Sequence, residues 1–400
     1  MTPSFADDSV LGRVDALFPV LVELRRDLHR HPELAFEEAQ TTERVGSLLS
    51  DAGITVNRLP GTGLVADIGP GDAAYRVALR ADMDALPVTE RTNLSYSSAV
   101  PGVAHACGHD VHVAACLGAG LALAMHTGTL TEAGVATRLI FQPAEEVIPG
   151  GAQPISDSRW LDDVDEIFAL HCDPSLDIGQ IGLRVGALTA ASDRVTVRLA
   201  GSGGHTSRPQ LTQDLVFALA KVATEVPAAL SRRLDPRAGA SLVWGMVQAG
   251  GAPNVIPSEG VLDGTLRVLD STSWERAGSL VEDLVHTVVA PYAVQADVLH
   301  VRGVPPVINT RAAIEVLRRA AGAAGLADVP IEQSMGGEDF AWYLQRVPGA
   351  MGRLGTRTPG GPTYDLHQGD LVVDESSVRV GARVLAGTVV ARCDGTVRGK

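Results

Sequence analysis

Between Ala104 and Ala115 the chain reads A-H-A-C-G-H-D-V-H-V-A-A, which puts three histidines, a cysteine and an aspartate between His105 and His112. No other stretch constrains the fold as much. Gly108 separates Cys107 from His109 and lets the chain bend so that both side chains aim at one point. Thiolate and imidazole are good ligands for a borderline-soft divalent ion. The alternative is a surface histidine cluster beside a buried cysteine. Val113, Leu117 and Leu121 recur at helical spacing and predict a helix from Asp110 to His126, with Asp110 as its N-cap.

Other segments end in residues of the same kind. The β-type run Tyr75–Ala81 feeds into Asp82-Met-Asp84, and acids at i and i+2 of a strand end share a face. Strand ends of α/β sheets are where sites collect, although loop capping also uses such acids. The run Ala136–Gln142 is largely apolar, as a central strand should be, and ends at Pro143-Ala144-Glu145-Glu146. Adjacent carboxylates at the mouth of a buried strand need a cation or a shared proton, unless they lie at a solvated helix start. A further strand, Glu166–Leu170, ends at His171-Cys172. These potential ligands come from separate strand ends, so only folding assembles them.

Amphipathic patterns predict helices at Val10–Arg30, with a kink or later start at Pro19, and at about Glu37–Ala52. From Ser192 to about Val301 the order becomes β-α-β-β-α-β, that of a ferredoxin-like unit. Helices follow at Arg311–Ala324, Gly337–Gln345 and Glu375–Arg392. The fold class is α/β with two domains. Residues 1–188 and 303–400 form a discontinuous metal-binding domain, and residues 189–302 form an inserted α+β lid.

The net charge is −14, with acids spread along the chain, which argues against a nucleic-acid or anionic-membrane partner. Cys107, Cys116, Cys172 and Cys393 show no C-x-x-C spacing, as expected of reduced thiols in the cytoplasm. The start, M-T-P-S-F-A-D-D, lacks the basic and apolar segments of a signal peptide, and no apolar run is long enough to span a membrane.

Taken in order, His29-Arg-His31-Pro-Glu33-Leu, Arg80-Ala-Asp82-Met-Asp84-Ala-Leu-Pro87 and Cys107-Gly-His109-Asp110-Val-His112 resemble the di-metal amidohydrolases. That family includes hippurate hydrolases, indoleacetyl-amino-acid hydrolases and related aminoacylases and carboxypeptidases. Phe141-Gln-Pro-Ala-Glu145-Glu146, Gly204-His205, Asn254-Val-Ile-Pro257, Gly337-Glu338-Asp339-Phe340 and Leu366-His367 extend the resemblance to about residue 370. It implies a metallo-exopeptidase-like catalytic domain with an inserted lid through which two subunits pair as a homodimer. Cys107 is implied to bridge two divalent ions, with His109, Glu146, His171 and His367 completing the shells and Glu145 as general base. Asp84 and His112 are implied to orient those ligands, and His205 to stabilise the developing oxyanion. Asn254, Arg267 and Gly337 are implied to hold the substrate. His126, His286 and His300 read as surface or packing histidines, and His105 has no assignment.

The expected reaction is hydrolysis of an N-acyl amino acid by metal-activated water, with Glu145 carrying the proton to the leaving nitrogen. A dipeptidase, a carboxypeptidase or an N-acetyl-diaminopimelate deacetylase shares that chemistry. A binding protein on the same scaffold is the non-enzymatic alternative. A bridging thiolate favours zinc, and the mixed shell also accommodates manganese, cobalt or nickel.

Overall fold

The structure is a computed structural model that describes residues 9–394. The leaderless start expected at Met1–Asp8 lies outside the described residues. The chain divides into two units. The first comprises residues 1–186, 308–332 and 342–400, and the second residues 187–307 and 333–341. The second unit therefore takes in the Gly337 segment as well as the inserted stretch.

The first unit is built on an eight-stranded mixed sheet in the order Thr55–Arg58, Leu64–Ile68, Val135–Gln142, Tyr75–Asp82, Glu166–Asp177, Gly349–Arg357, Gln180–Gly182, Ala327–Val329. The four strands from Val135–Gln142 to Gly349–Arg357 are mutually parallel. All eight residues of Val135–Gln142 are buried, as befits a parallel strand covered on both faces. Glu166–Asp177 runs well beyond the end expected at Leu170, because Arg353 to Arg357 pair with His171 to Asp177. His171 is thus inside a strand rather than past its tip.

Helices Val10–Arg30, His109–Ala124, Arg311–Ala323 and Ser376–Cys393 pack on one another and share one apolar core with the sheet. Val10–Arg30 starts where the apolar pattern starts and runs unbroken through Pro19. His109–Ala124 is buried along nearly its whole circumference, and it reaches the sheet so closely that a Cβ on Gly120 would lie 2.3 Å from Leu139. No single helix among the described residues is long and apolar enough to cross a membrane.

The second unit holds a four-stranded antiparallel sheet ordered Ser241–Ala249, Glu259–Val268, Ala191–Ala200, Gln295–Val304, with helices Leu215–Arg233 and Ser271–Val289. Both the β-α-β-β-α-β order and this strand arrangement are ferredoxin-like. Leu262, Leu266 and Val268 alternate inward, and Val222, Val226, Val281 and Val285 of the helices are buried with them. The edge strand Ser241–Ala249 leaves Val243 and Val247 more than half exposed.

Candidate metal centre

The five expected ligands, Cys107, His109, Glu146, His171 and His367, all lie within the first unit. Gly108 adopts φ +86° at the start of helix His109–Ala124, and a Cβ there would sit 2.8 Å from Cys172 Sγ. Only glycine allows both the left-handed backbone and that approach. The bend brings Cys107 Sγ to 3.5 Å from His171 Nε2. Ligand atoms of Cys107, His109 and His171 all lie within 4.8 Å of one another, and so do those of Cys107, Glu146 and His367. The two triads share one residue, Cys107.

The histidines are held so that one nitrogen of each faces the cluster. His109 Nδ1–H donates to the Asp84 carbonyl at 2.8 Å, which leaves Nε2 buried with no hydrogen-bond partner. His171 Nδ1–H donates to the Cys172 carbonyl at 2.8 Å, leaving Nε2 toward Cys107. His367, at φ +63°, is fixed by its own N–H donating to Ala106 O at 2.7 Å, and its Nε2 lies 3.3 Å from Glu146 Oε1. Glu146 holds the His367 pKa above its ordinary value.

Asp84 organises the neighbouring turn. Its Oδ1 and Oδ2 accept the backbone N–H groups of Glu145 and Glu146, each at 2.9 Å. Burial pulls the Asp84 pKa up, but His109 and those two amides outweigh it and keep the carboxyl below its usual range. His112 spends both nitrogens elsewhere, donating from Nδ1 to Asp82 at 2.6 Å and accepting the Cys172 N–H at 2.8 Å. Asp82 is also paired with the buried Arg80 at 2.5 Å. The group Asp82, His109 and His112 is compact enough to be considered as a third ligand set. Asp82 and His112 already satisfy each other, so they support the site from behind.

A divalent ion fits this donor set. Burial pushes the Cys107 thiol well above its ordinary pKa, so its thiolate needs a neighbouring cation to persist. The His109 Nε2, a buried ring nitrogen with no hydrogen-bond partner, is the complementary requirement.

Asp110 differs from its expected place. The helix begins one residue earlier, Gly108 takes the N-cap position, and Asp110 lies in the first turn. Completely buried there, its carboxylate turns to Arg25 Nε at 2.7 Å and His29 Nδ1 at 2.9 Å. A charged partner outcompetes backbone capping for a buried carboxylate.

His205, Asn254, Arg267 and Gly337 all belong to the second unit. Two of them are neighbours there: His205 pairs with Val255, and the Thr206 N–H donates to Asn254 O at 3.2 Å. Arg267 is paired with Ser192, and a Cβ on Gly337 would lie 3.1 Å from Ser192 Cβ, so these two form a separate group. His300 is part of a packing network in which Asp193 Oδ2 meets His300 Nε2 at 2.7 Å and the Trp274 indole N–H at 2.8 Å. Sequence reasoning missed Arg80 and Glu38, both buried near the cluster. An arginine two residues before Asp82, at an acid-rich strand end, was the available signal for Arg80.

The sequence profile of Peptidase family M20/M25/M40 matches residues 78–391. A Bacillus subtilis N-acetyl-L-cysteine deacetylase is 35% identical over 359 residues, covering 90% of this chain and 84% of that protein. A Rhodococcus jostii protein named for a glutamate–cysteine ligase is 46% identical over 370 residues, covering 91% of this chain. The chain spans only 46% of that relative's length. Among solved structures, the Bacillus subtilis YXEP protein, described as a dinuclear metal-binding peptidase from the M20 family, superposes with a TM-score of 0.82 at 32% identity. That match covers 94% of this chain and 98% of the other. With that profile running from the strand that ends at Asp82 to the last helix, the chain belongs to Peptidase family M20/M25/M40 and is a metal-dependent hydrolase of amide bonds.

Proposed function

We propose that the enzyme hydrolyses N-acyl amino acids to a carboxylic acid and an amino acid. The observation that carries the reading is the pair of triads meeting at Cys107. Cys107, His109 and His171 would hold one divalent ion, and Cys107, Glu146 and His367 the other. Zinc and manganese are the leading candidates, since thiolate and imidazole suit the first and the carboxylate the second. When bound, the ions supply Lewis acidity and lower the pKa of water toward neutrality.

The chain's own residues do the rest. Glu145 follows Ala144 at the tip of a buried strand, its backbone held by Asp84, with its carboxylate 4.0 Å from His109 Nε2. It takes a proton from the attacking water and returns it to the departing nitrogen. Asp84 and His112 hold His109, His171 and the glutamate turn in place. His205 and Asn254, adjacent in the second unit, are assigned to the carbonyl oxygen and the substrate's polar groups, and Arg267 and Gly337 to its carboxylate end.

Two subunits pair through the second unit. Its edge strand, with Val243 and Val247 exposed, offers unpaired backbone and apolar side chains to a second copy. All four cysteines are free, which fits a reducing cytoplasm.

N-acetyl-L-cysteine is the first substrate to try, because a relative at 35% identity carries that activity in its name. Purified protein supplied with zinc or manganese should release acetate from it, and should also be tested on hippurate, N-acetyl-diaminopimelate and a dipeptide. Cleavage of the dipeptide with none of the N-acyl compounds would replace this reading with a peptidase.

A further inference from the structure

The turn Pro143-Ala144-Glu145-Glu146 is gripped by two buried carboxylates, Asp84 and Glu38. Asp84 takes the amides of Glu145 and Glu146, and the amide just before them is that of Ala144. It donates at 2.8 Å to Oε1 of Glu38, a residue 106 positions away. The same oxygen accepts the Phe36 N–H at 3.0 Å, and Oε2 accepts the Thr62 hydroxyl at 2.6 Å. Glu38 has no solvent exposure. Burial raises its pKa, and the Thr62 and backbone donors act in the opposite sense.

Ala144 sits at φ +55°, a left-handed conformation that a residue with a Cβ adopts only under constraint. Three successive amides, those of Ala144, Glu145 and Glu146, are therefore each met by a carboxylate oxygen. Without Glu38 the Ala144 amide would be buried and unpaired, and its backbone could relax toward the right-handed region. That rotation would swing both glutamates that follow.

We propose that Glu38 is a positioning residue for the hydrolysis: by accepting the Ala144 amide it fixes the left-handed turn that points Glu146 at the cluster and leaves Glu145 beside it. This role rests on those proposed for Glu145 and Glu146, and Glu38 itself touches neither substrate nor metal.

Three substitutions separate reach from charge. Glu38→Gln keeps a carbonyl oxygen for both amides and an NH2 that can donate to Thr62. Glu38→Asp keeps the charge but falls one methylene short. Glu38→Ala removes the acceptor. Two measurements are made on each. Amide hydrogen exchange at residues 144–146 of the metal-free protein should be about tenfold faster or more in the Ala and Asp variants, and near wild type in Gln. On metal-loaded enzyme, kcat should fall about 100-fold in Ala and Asp with KM within about threefold, and Gln should stay within about threefold of wild type in both. Wild-type exchange and kcat in a folded Glu38→Ala protein would overturn the proposal. So would any ranking in which Gln is not the best of the three. If Glu38→Ala does not fold, the Gln and Asp pair decides the question in the same way. The exchange measurement needs no substrate, so a wild-type enzyme inactive on N-acyl amino acids would sink the functional reading while exchange still decides whether Glu38 holds the turn.

Discussion

Cys107 Sγ and His171 Nε2 stand 3.5 Å apart although 64 residues separate them in the chain. Cys107 comes from a glycine bend at a helix start, and His171 from the interior of a parallel strand that pairs with Gly349–Arg357 from Ile167 to Asp177. Neither element places its residue without the other. The packing of that bend on the strand therefore positions the candidate ligands, and Gly108 is the contact point.

Gly108→Ala tests that contact. The new Cβ would meet Cys172 Sγ at 2.8 Å on a backbone at φ +86°. Backbone strain of about 1–3 kcal/mol is expected, and relief of the clash would push Cys107 and His171 apart. The variant should melt at lower temperature and bind metal more weakly. Unchanged melting and metal affinity would show that the bend is not tightly held.

The two neighbouring glutamates should fail differently. Glu145→Gln removes the proposed proton carrier and should lower kcat by about three orders of magnitude while metal content stays at the wild-type level. Glu146→Gln weakens a proposed ligand and should lower metal occupancy. Kinetics and elemental analysis on the same preparations check this. Equal metal content together with retained activity in both variants would reverse the assignment.

Stability toward acid has an identifiable contributor in Glu90. It receives His29 Nε2 at 3.3 Å, the Ser98 N–H at 2.6 Å and the Thr92 hydroxyl. Burial acts to raise its pKa, and these three bonds outweigh burial, lowering it from 4.5 to about 2. A folded-state pKa below the unfolded one gives stability that is fully present above about pH 5 and is lost as pH falls through 4.5 toward about 2. Glu90→Gln should be less stable than wild type at pH 7 and should lose less stability between pH 5 and 2. Urea unfolding across that range measures both slopes. Parallel pH profiles would mean that Glu90 is not held by these donors.

Legibility in the sequence follows distance along the chain. Cys107 and His109 lie in one short run, and Glu145 and Glu146 at the tip of an apolar strand, so local pattern and family resemblance mark them together. The inserted β-α-β-β-α-β unit is readable because its alternation of strand and helix is local too. Asp110 misleads for the same reason. Its position before an apolar run suggests a cap, and nothing nearby announces Arg25, 85 residues earlier, as the partner that claims it. The reach of the His171 strand and the Glu38–Ala144 contact are likewise set by pairings between distant segments. A single sequence carries no trace of which buried carboxylate meets which amide.

If Cys107 serves both halves of the cluster, its loss must empty both, and metal content measures that directly. Wild type, Cys107→Ala, His171→Ala and His367→Ala should be purified in parallel, loaded with zinc or manganese and analysed for bound metal. Wild type should hold about two ions per chain, each histidine variant about one, and Cys107→Ala close to none. A Cys107→Ala protein that keeps two ions, or that loses one as the histidine variants do, would contradict the shared thiolate and with it the two-ion centre.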